Sequence, residues 1–211
     1  RAVKRGDLFI ALRGARFDAH AFLAQAAAAG ATALVVERAA DLDLPQIVVD
    51  DTTRALGRLA HYWRRQFAIP LVAITGSNGK TTVKEMLASI LRAHAGDDAV
   101  LATRGNLNNQ IGVPLTLLAL RARHRYAAIE MGMNHAGEIA ELAALVAPNV
   151  ALVNNAQREH MEFMASVEAV ARENAAVYAA LPADCIAVGN ADYAHFAGFR
   201  HAAGARRLVY F

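Results

Sequence analysis

The chain has 211 residues and 55% hydrophobic content, enough for one large or two small domains with real cores. Much of the apolar share is alanine and no charge-free apolar run reaches about 18 residues, which argues against a helical membrane span. Net charge is only +3 despite a pI near 9.3, and Lys and Arg are scattered; this speaks against a nucleic-acid partner and suits anionic small molecules.

Residues 6–12 (GDLFIAL) and 33–37 (ALVVE) read as short strands around an alanine-rich helix over 19–29 that Gly30 ends. Residues 47–49 make a third strand. The stretch 52–66 places Leu56, Leu59, Ala60 and Trp63 at helical spacing, with Asp51 or Thr52 as its cap. Pro70 marks a boundary and divides the chain into domains 1–69 and 70–211. Beyond it, strands at 71–75, 100–103, 126–130, 150–153 and 186–189 alternate with helices at 81–94, 138–147 and 166–180. This rhythm predicts an α/β fold with a parallel sheet wrapped by helices on both faces, and ligands beyond the carboxyl ends of the strands. The single Cys185 and the absence of a leader pattern suit a reducing cytoplasm. An opening at Arg1 and an apolar stop over 208–211 read as a segment of something longer.

Residues 71–82, LVAITGSNGKTT, run from an apolar strand into a glycine turn ending in Lys-Thr and then into a helical pattern. Such a turn aims the backbone N–H groups from Gly76 through Ser77, Asn78, Gly79 and Lys80 to Thr81, with Thr82 following, at a polyphosphate. Lys80 would neutralise the β/γ-phosphates of ATP, and Thr81 would hold magnesium. The strict pattern has a further glycine where this chain has Ile74, so the loop is the shorter GxxGKT form. An ordinary glycine-rich turn is the competing reading; the strand before it and the helix after it favour the cradle.

Glu130 ends the strand YAAIE and is the first acidic candidate for a metal ligand or water-positioning group. Alone it would read as a solvated turn residue. In the loop that follows, Asn134 and His135 either contact substrate or, for His135, sit at the surface near the cap of the helix containing Glu138. His160 either ligates a second divalent cation or is an exposed loop histidine, and spacing alone favours the latter. Residues 104–118, RGNLNNQIGVPLTLL, combine amides at Asn106, Asn108, Asn109 and Gln110 with a helix started by Pro114. These amides suit sugar or peptide recognition and equally suit plain turn formation.

Taken together these segments resemble the Mur ligases from end to end. The segments that carry the resemblance are GDLFIALRGARFDAHAF, TGSNGKTTVKEM, GNLNNQIGVPLTLL, EMGMNHAGEI and NNAQREH, in that order. TGSNGKTT is common to the family and its folate-tailing relatives. GNLNNQIGVP and EMGMNHAGEI are closer to the branch that adds D-alanyl-D-alanine to UDP-N-acetylmuramoyl-tripeptide than to the sister branch that adds the third amino acid. The resemblance implies three domains: an N-terminal one for the UDP-sugar, a central ATPase, and a C-terminal one carrying the incoming dipeptide. Only the first and part of the second are present, so the segment should not catalyse alone.

By similarity, Lys80 holds the β/γ-phosphates, Thr81 and Glu130 hold one magnesium, and His160 helps hold a second. Asn108, Asn109, Asn134 and His135 would face the muramyl-peptide side, with residues 13–20 near the uridine end. The single cysteine and the scattered charge already favour a cytoplasmic protein without a nucleic-acid partner, and a monomer is the expected state, which the resemblance does not supply. One departure stands out: many Mur ligases carry a carbamylated lysine where this chain reads ARENA over 171–175, placing Asn174 or Arg172 at the equivalent position. Neither forms a carbamate, so the second metal would rely on Glu173 or water, or be held more weakly. The alternatives are the sister ligase, a nucleotide-binding module without ligase chemistry and, more weakly, a generic P-loop kinase.

Overall fold

Short β-branched and apolar runs alternate with helical stretches, and among the described residues they assemble into two fully parallel sheets and one small hairpin. A computed structural model of the chain describes residues 2–14, 17–157 and 166–211. They fall into two compact units, 1–59 and 60–211. Among the described residues no helix is long and apolar enough to cross a membrane.

The first unit runs β1 (Leu8–Ile10), β2 (Arg13–Gly14), β3 (Phe17–Asp18), a 3-10 turn (Ala19–Phe22), α1 (Leu23–Ala28), β4 (Ala33–Val36) and β5 (Gln46–Val48), then enters α2 (Thr52–Arg64). Its sheet has the order β1-β4-β5, with Phe9 opposite Leu34 and Val35 opposite Ile47. Leu23, Ala26, Leu34 and Val36 form its core. The β2–β3 hairpin was not predicted; two residues per strand leave no periodic signal. The helix expected over 19–29 opens as a 3-10 turn because the Asp18 carboxylate accepts from His20 N–H at 2.9 Å. Asp51, rather than Thr52, caps α2: its Oδ1 accepts from Thr53 and Arg54 N–H at 2.7 and 2.9 Å. The Thr52 hydroxyl instead donates to Ala11 O.

The second unit continues with β6 (Leu71–Thr75), α3 (Lys80–Ala95), β7 (Val100–Ala102), α4 (Gly112–Leu117), β8 (Tyr126–Glu130), α5 (Glu138–Val146), β9 (Val150–Val153), α6 (Val167–Ala175), β10 (Ile186–Gly189), α7 (Phe196–Ala203) and β11 (Arg207–Tyr210). The strand order is β11-β10-β9-β6-β8-β7, every neighbour parallel. Side chains alternate along each strand, so the sheet buries both faces. Ile74, Val100, Ala102 and Ala128 pack with Ala88 of α3 on one side. Leu71, Ala73, Ala127 and Ile129 pack with Val113, Leu142, Val170 and Phe199 of the other helices on the opposite side.

Both ends of α5 are closed by side chains from elsewhere. Glu173 reaches its N-terminus, while at its C-terminus the Arg64 guanidinium donates to Val146 O at 3.1 Å and Ala147 O at 3.2 Å. These charges complement the helix dipole.

Three elements differ from expectation. α4 starts at Gly112 rather than Pro114, because the Asn109 side chain accepts from Ile111 and Gly112 N–H and opens the helix earlier. Pro114 still lies in the first turn, where its missing N–H leaves no bond unmade. The helix expected over 166–180 tightens to 3-10 winding at Ala176–Ala180, with Tyr178 fully buried and its hydroxyl donating to Val188 O at 2.6 Å. α7 was not foreseen, since its apolar stripe is confined to two buried residues, Phe199 and Ala203, and Gly198 interrupts it.

Candidate functional site

The site lies where β6 hands over to α3. Gly76 (φ +134) and Gly79 (φ +74) turn the chain through conformations that L side chains rarely adopt. A Cβ on Gly79 would stand 2.9 Å from the Asn154 amide nitrogen. The next strand, β9, runs beside β6 with Val153 opposite Thr75, so the segment after it reaches the loop. Ser77 N–H donates to Asn155 O at 3.1 Å and Asn78 N–H to Asn155 Oδ1 at 2.9 Å. Asn154 Nδ2 donates to Asn78 O at 2.7 Å, and Gln157 N–H to the Ser77 hydroxyl at 2.7 Å.

The Ser77 and Asn78 amides thus fasten the loop to the segment after β9. The amides of Lys80, Thr81 and Thr82, the first three residues of α3, have no acceptor within the helix, and Gly79 offers no side-chain cap. An uncapped helix start in a glycine turn fits a phosphate group. The Lys80 ammonium folds over the same loop and donates to Gly76 O and, at 2.9 Å, to Ser77 O.

Glu130 ends β8 with Ile74 of β6 opposite it, which brings its carboxylate to the start of α3. Thr81 Oγ1 donates to Glu130 Oε2 at 2.9 Å. Glu130 is 2% exposed, and its other oxygen accepts from Asn108 Nδ2 at 2.8 Å. A hydroxyl and a buried carboxylate side by side are the hard oxygen donors that magnesium takes. Among the described residues no three His, Cys, Asp or Glu side chains converge on a common point.

Asn108 thus holds the Glu130 carboxylate. A Cβ on Gly132 would stand 3.0 Å from the Asn108 amide nitrogen, so a side chain there would push on the group that holds Glu130. Asn109 is exposed and spends its oxygen on the turn that opens α4. Asn134 and His135 are exposed too, and their N–H groups donate to Glu138 Oε2 at 2.6 and 3.2 Å. Burial pushes the Glu138 carboxyl up, but the amides of Asn134 and His135 outweigh it and hold the group below its ordinary range. His160 lies outside the described residues.

Glu173 is not disposed toward a metal. It is buried, and its two oxygens accept from Gly137 and Ile139 N–H at 2.9 Å each. Asn174, one of the two candidates for the position of the family's lysine, bonds the Thr75 hydroxyl beneath the loop and donates to Val170 O at 3.0 Å. Sequence reasoning missed the loop-binding roles of Asn155 and Gln157; two asparagines directly after a strand beside the phosphate loop were the available signal.

In the first unit, Arg13 pairs with Glu37 at 2.8 Å, and the buried His20 ring bridges the Asp18 carboxylate, at 2.6 Å, and the N–H of Glu37, at 2.9 Å. Hydrogen bonds from the His20 backbone and ring hold the Asp18 carboxyl low, and Arg13 does the same for Glu37. A cleft of about 480 Å³ opens nearby, lined by Phe9, Leu12, Gln25 and the stacked Phe17 and Phe22 rings.

Compared with known proteins, residues 74–211 match the Mur ligase middle domain and residues 1–64 the Mur ligase family catalytic domain. The chain belongs to the Mur ligase family. This Mur ligase chain is 48% identical over 208 residues to the UDP-N-acetylmuramoyl-tripeptide–D-alanyl-D-alanine ligase of Escherichia coli K12, covering 99% of the chain and 45% of that enzyme. It superposes on MurF from Acinetobacter baumannii with a TM-score of 0.95 at 42% identity, over 99% of this chain and 46% of that one. On the ADP complex of Thermotoga maritima MurF the TM-score is 0.89 at 31% identity, over 99% and 48%. The chain therefore spans a little under half the length of the relatives it matches.

Proposed function

We propose that this Mur ligase segment belongs to an ATP-dependent amide ligase that joins D-alanyl-D-alanine to UDP-N-acetylmuramoyl-tripeptide in peptidoglycan synthesis, in the cytoplasm and as a monomer. The reading is carried by the Thr81–Glu130 pair at an uncapped α3, in a chain 48% identical to the E. coli ligase of that name. The ADP complex of the T. maritima relative supports the nucleotide assignment. In this reading residues 1–69 take the UDP-sugar and residues 70–211 form part of the ATPase domain.

Lys80 and the first amides of α3 bind the β/γ-phosphates, and Thr81 with Glu130 holds magnesium, which supplies charge neutralisation at the transferring phosphoryl group. A carboxylate oxygen of the tripeptide attacks the γ-phosphorus and ADP leaves, giving an acyl phosphate. The dipeptide amine then attacks the acyl carbon, loses its proton and expels phosphate. Lys80 stabilises charge through the first step, and Asn108 keeps Glu130 oriented. Asn108, Asn109, Asn134 and His135 remain assigned to the muramyl-peptide side, and His160 to a second magnesium, by family resemblance.

The test is phosphate release by the full-length protein with ATP, magnesium and UDP-N-acetylmuramoyl-tripeptide, with and without D-alanyl-D-alanine. Release that depends on the dipeptide, with the amide product seen by mass spectrometry, is expected. ATP binding without that dependence would move the assignment to the sister ligase or to a binding module.

A further inference from the structure

We infer that Lys84 is a positioning residue for the cation site, acting on Glu130 through Thr103; the inference rests on the reading of Thr81 and Glu130 as cation ligands. Lys84 lies one helical turn beyond Lys80 and is 0% exposed. It shares the face of α3 with Ala88, which packs into the apolar layer of Ile74, Val100, Ala102 and Ala128. An ammonium in such a layer is costly unless it is hydrogen-bonded, and a methionine would fill the same volume without that cost. Its bonds show what it holds. Nζ donates to the carboxylate of Glu85, an exposed residue, and to Thr103 O at 2.9 Å.

Thr103 is itself 1% exposed and is a junction. Its N–H donates to Ala128 O at 3.1 Å, and its hydroxyl accepts from Glu130 N–H at 2.9 Å. Lys84 therefore pins the residue that holds the backbone of Glu130. The same residue sets where the amide-rich loop leaves the sheet, and that loop delivers Asn108 to the Glu130 carboxylate. The carboxylate is thus aimed from two sides, and both supports run through Thr103.

Mn2+ binding to the full-length protein saturated with a non-hydrolysable ATP analogue, read by electron paramagnetic resonance, tests this. Loss of a partner behind a metal ligand lowers affinity about 10- to 100-fold. Lys84→Met and Thr103→Val should each weaken Mn2+ binding by at least about tenfold, leave metal-free nucleotide affinity within about twofold, and spare UDP-sugar binding. Thr103→Ser should restore Mn2+ affinity. A folded Lys84→Met or a folded Thr103→Val with parental Mn2+ affinity overturns the inference, as does an equal loss of nucleotide affinity with and without metal. If Lys84→Met fails to fold, the two Thr103 variants still decide. Glu130→Gln separates the levels: no effect on Mn2+ sinks the cation assignment and the inference with it, whereas an effect there but none in Thr103→Val overturns the inference alone.

Discussion

Replacing Gly76 with alanine should damage nucleotide binding far more than it damages the fold. The position has φ +134, a region where a side chain costs roughly 1–3 kcal/mol. The added Cβ would stand 3.1 Å from both the N and O atoms of Asn155 and 3.2 Å from Asn154 Cβ. These neighbours cannot simply retreat, because Asn155 accepts from Ser77 and Asn78 N–H at 3.1 and 2.9 Å. Each bond lost on retreat is worth about 0.5–1.5 kcal/mol. Strain and lost bonds together come to about 2–6 kcal/mol against the binding-competent loop, which at about 1.4 kcal/mol per decade weakens nucleotide binding by about 30-fold or more. Isothermal titration of ATP with magnesium into full-length Gly76→Ala, alongside circular dichroism, reads both quantities. Affinity within threefold of the parent in a folded variant would refute the argument that this turn is locked by β9's trailing segment.

Gly198 is the opposite case: it lies inside α7 with nothing within 4 Å of an added Cβ. Gly198→Ala should leave ATP affinity unchanged and stabilise the protein by about 0.5–1 kcal/mol, a rise of roughly 1–4 °C in melting temperature. Glu173→Gln replaces one of two amide-accepting oxygens at the start of α5 with an NH2 group that faces an N–H; it should cost about 1–3 kcal/mol in urea unfolding while metal affinity stays at the parental value. A selective loss of metal would return Glu173 to the site.

Glu138 is held below its ordinary range in the folded state, so its stabilisation is complete above the unfolded value and is lost as pH falls through the lowered one. Hydrogen exchange at the Asn134 and His135 amides should accelerate in acid relative to neighbouring amides, and Glu138→Gln should remove that transition. An identical acid profile in the variant would count against the assignment.

What the sequence by itself determined is the material carried by local pattern. The strands at 71–75, 126–130, 150–153 and 186–189 appear with the predicted bounds, because buried parallel strands are continuous apolar runs closed by turn residues. The glycine turn between β6 and α3 was legible as well, since its two glycines and the helical pattern from Lys80 are local signals. Tertiary structure decided which polar groups meet. Asn108 and Glu130 stand 22 residues apart and Asn155 and Asn78 stand 77 apart, yet parallel pairing around β6 brings both pairs to one end of the sheet. The same assembly set the Glu173 carboxylate at the start of α5 and the Lys84 ammonium against Thr103 O. No periodicity encodes such contacts: hydrophobic spacing records which face of an element is buried, whereas the partner of a buried polar group depends on which strand lies alongside.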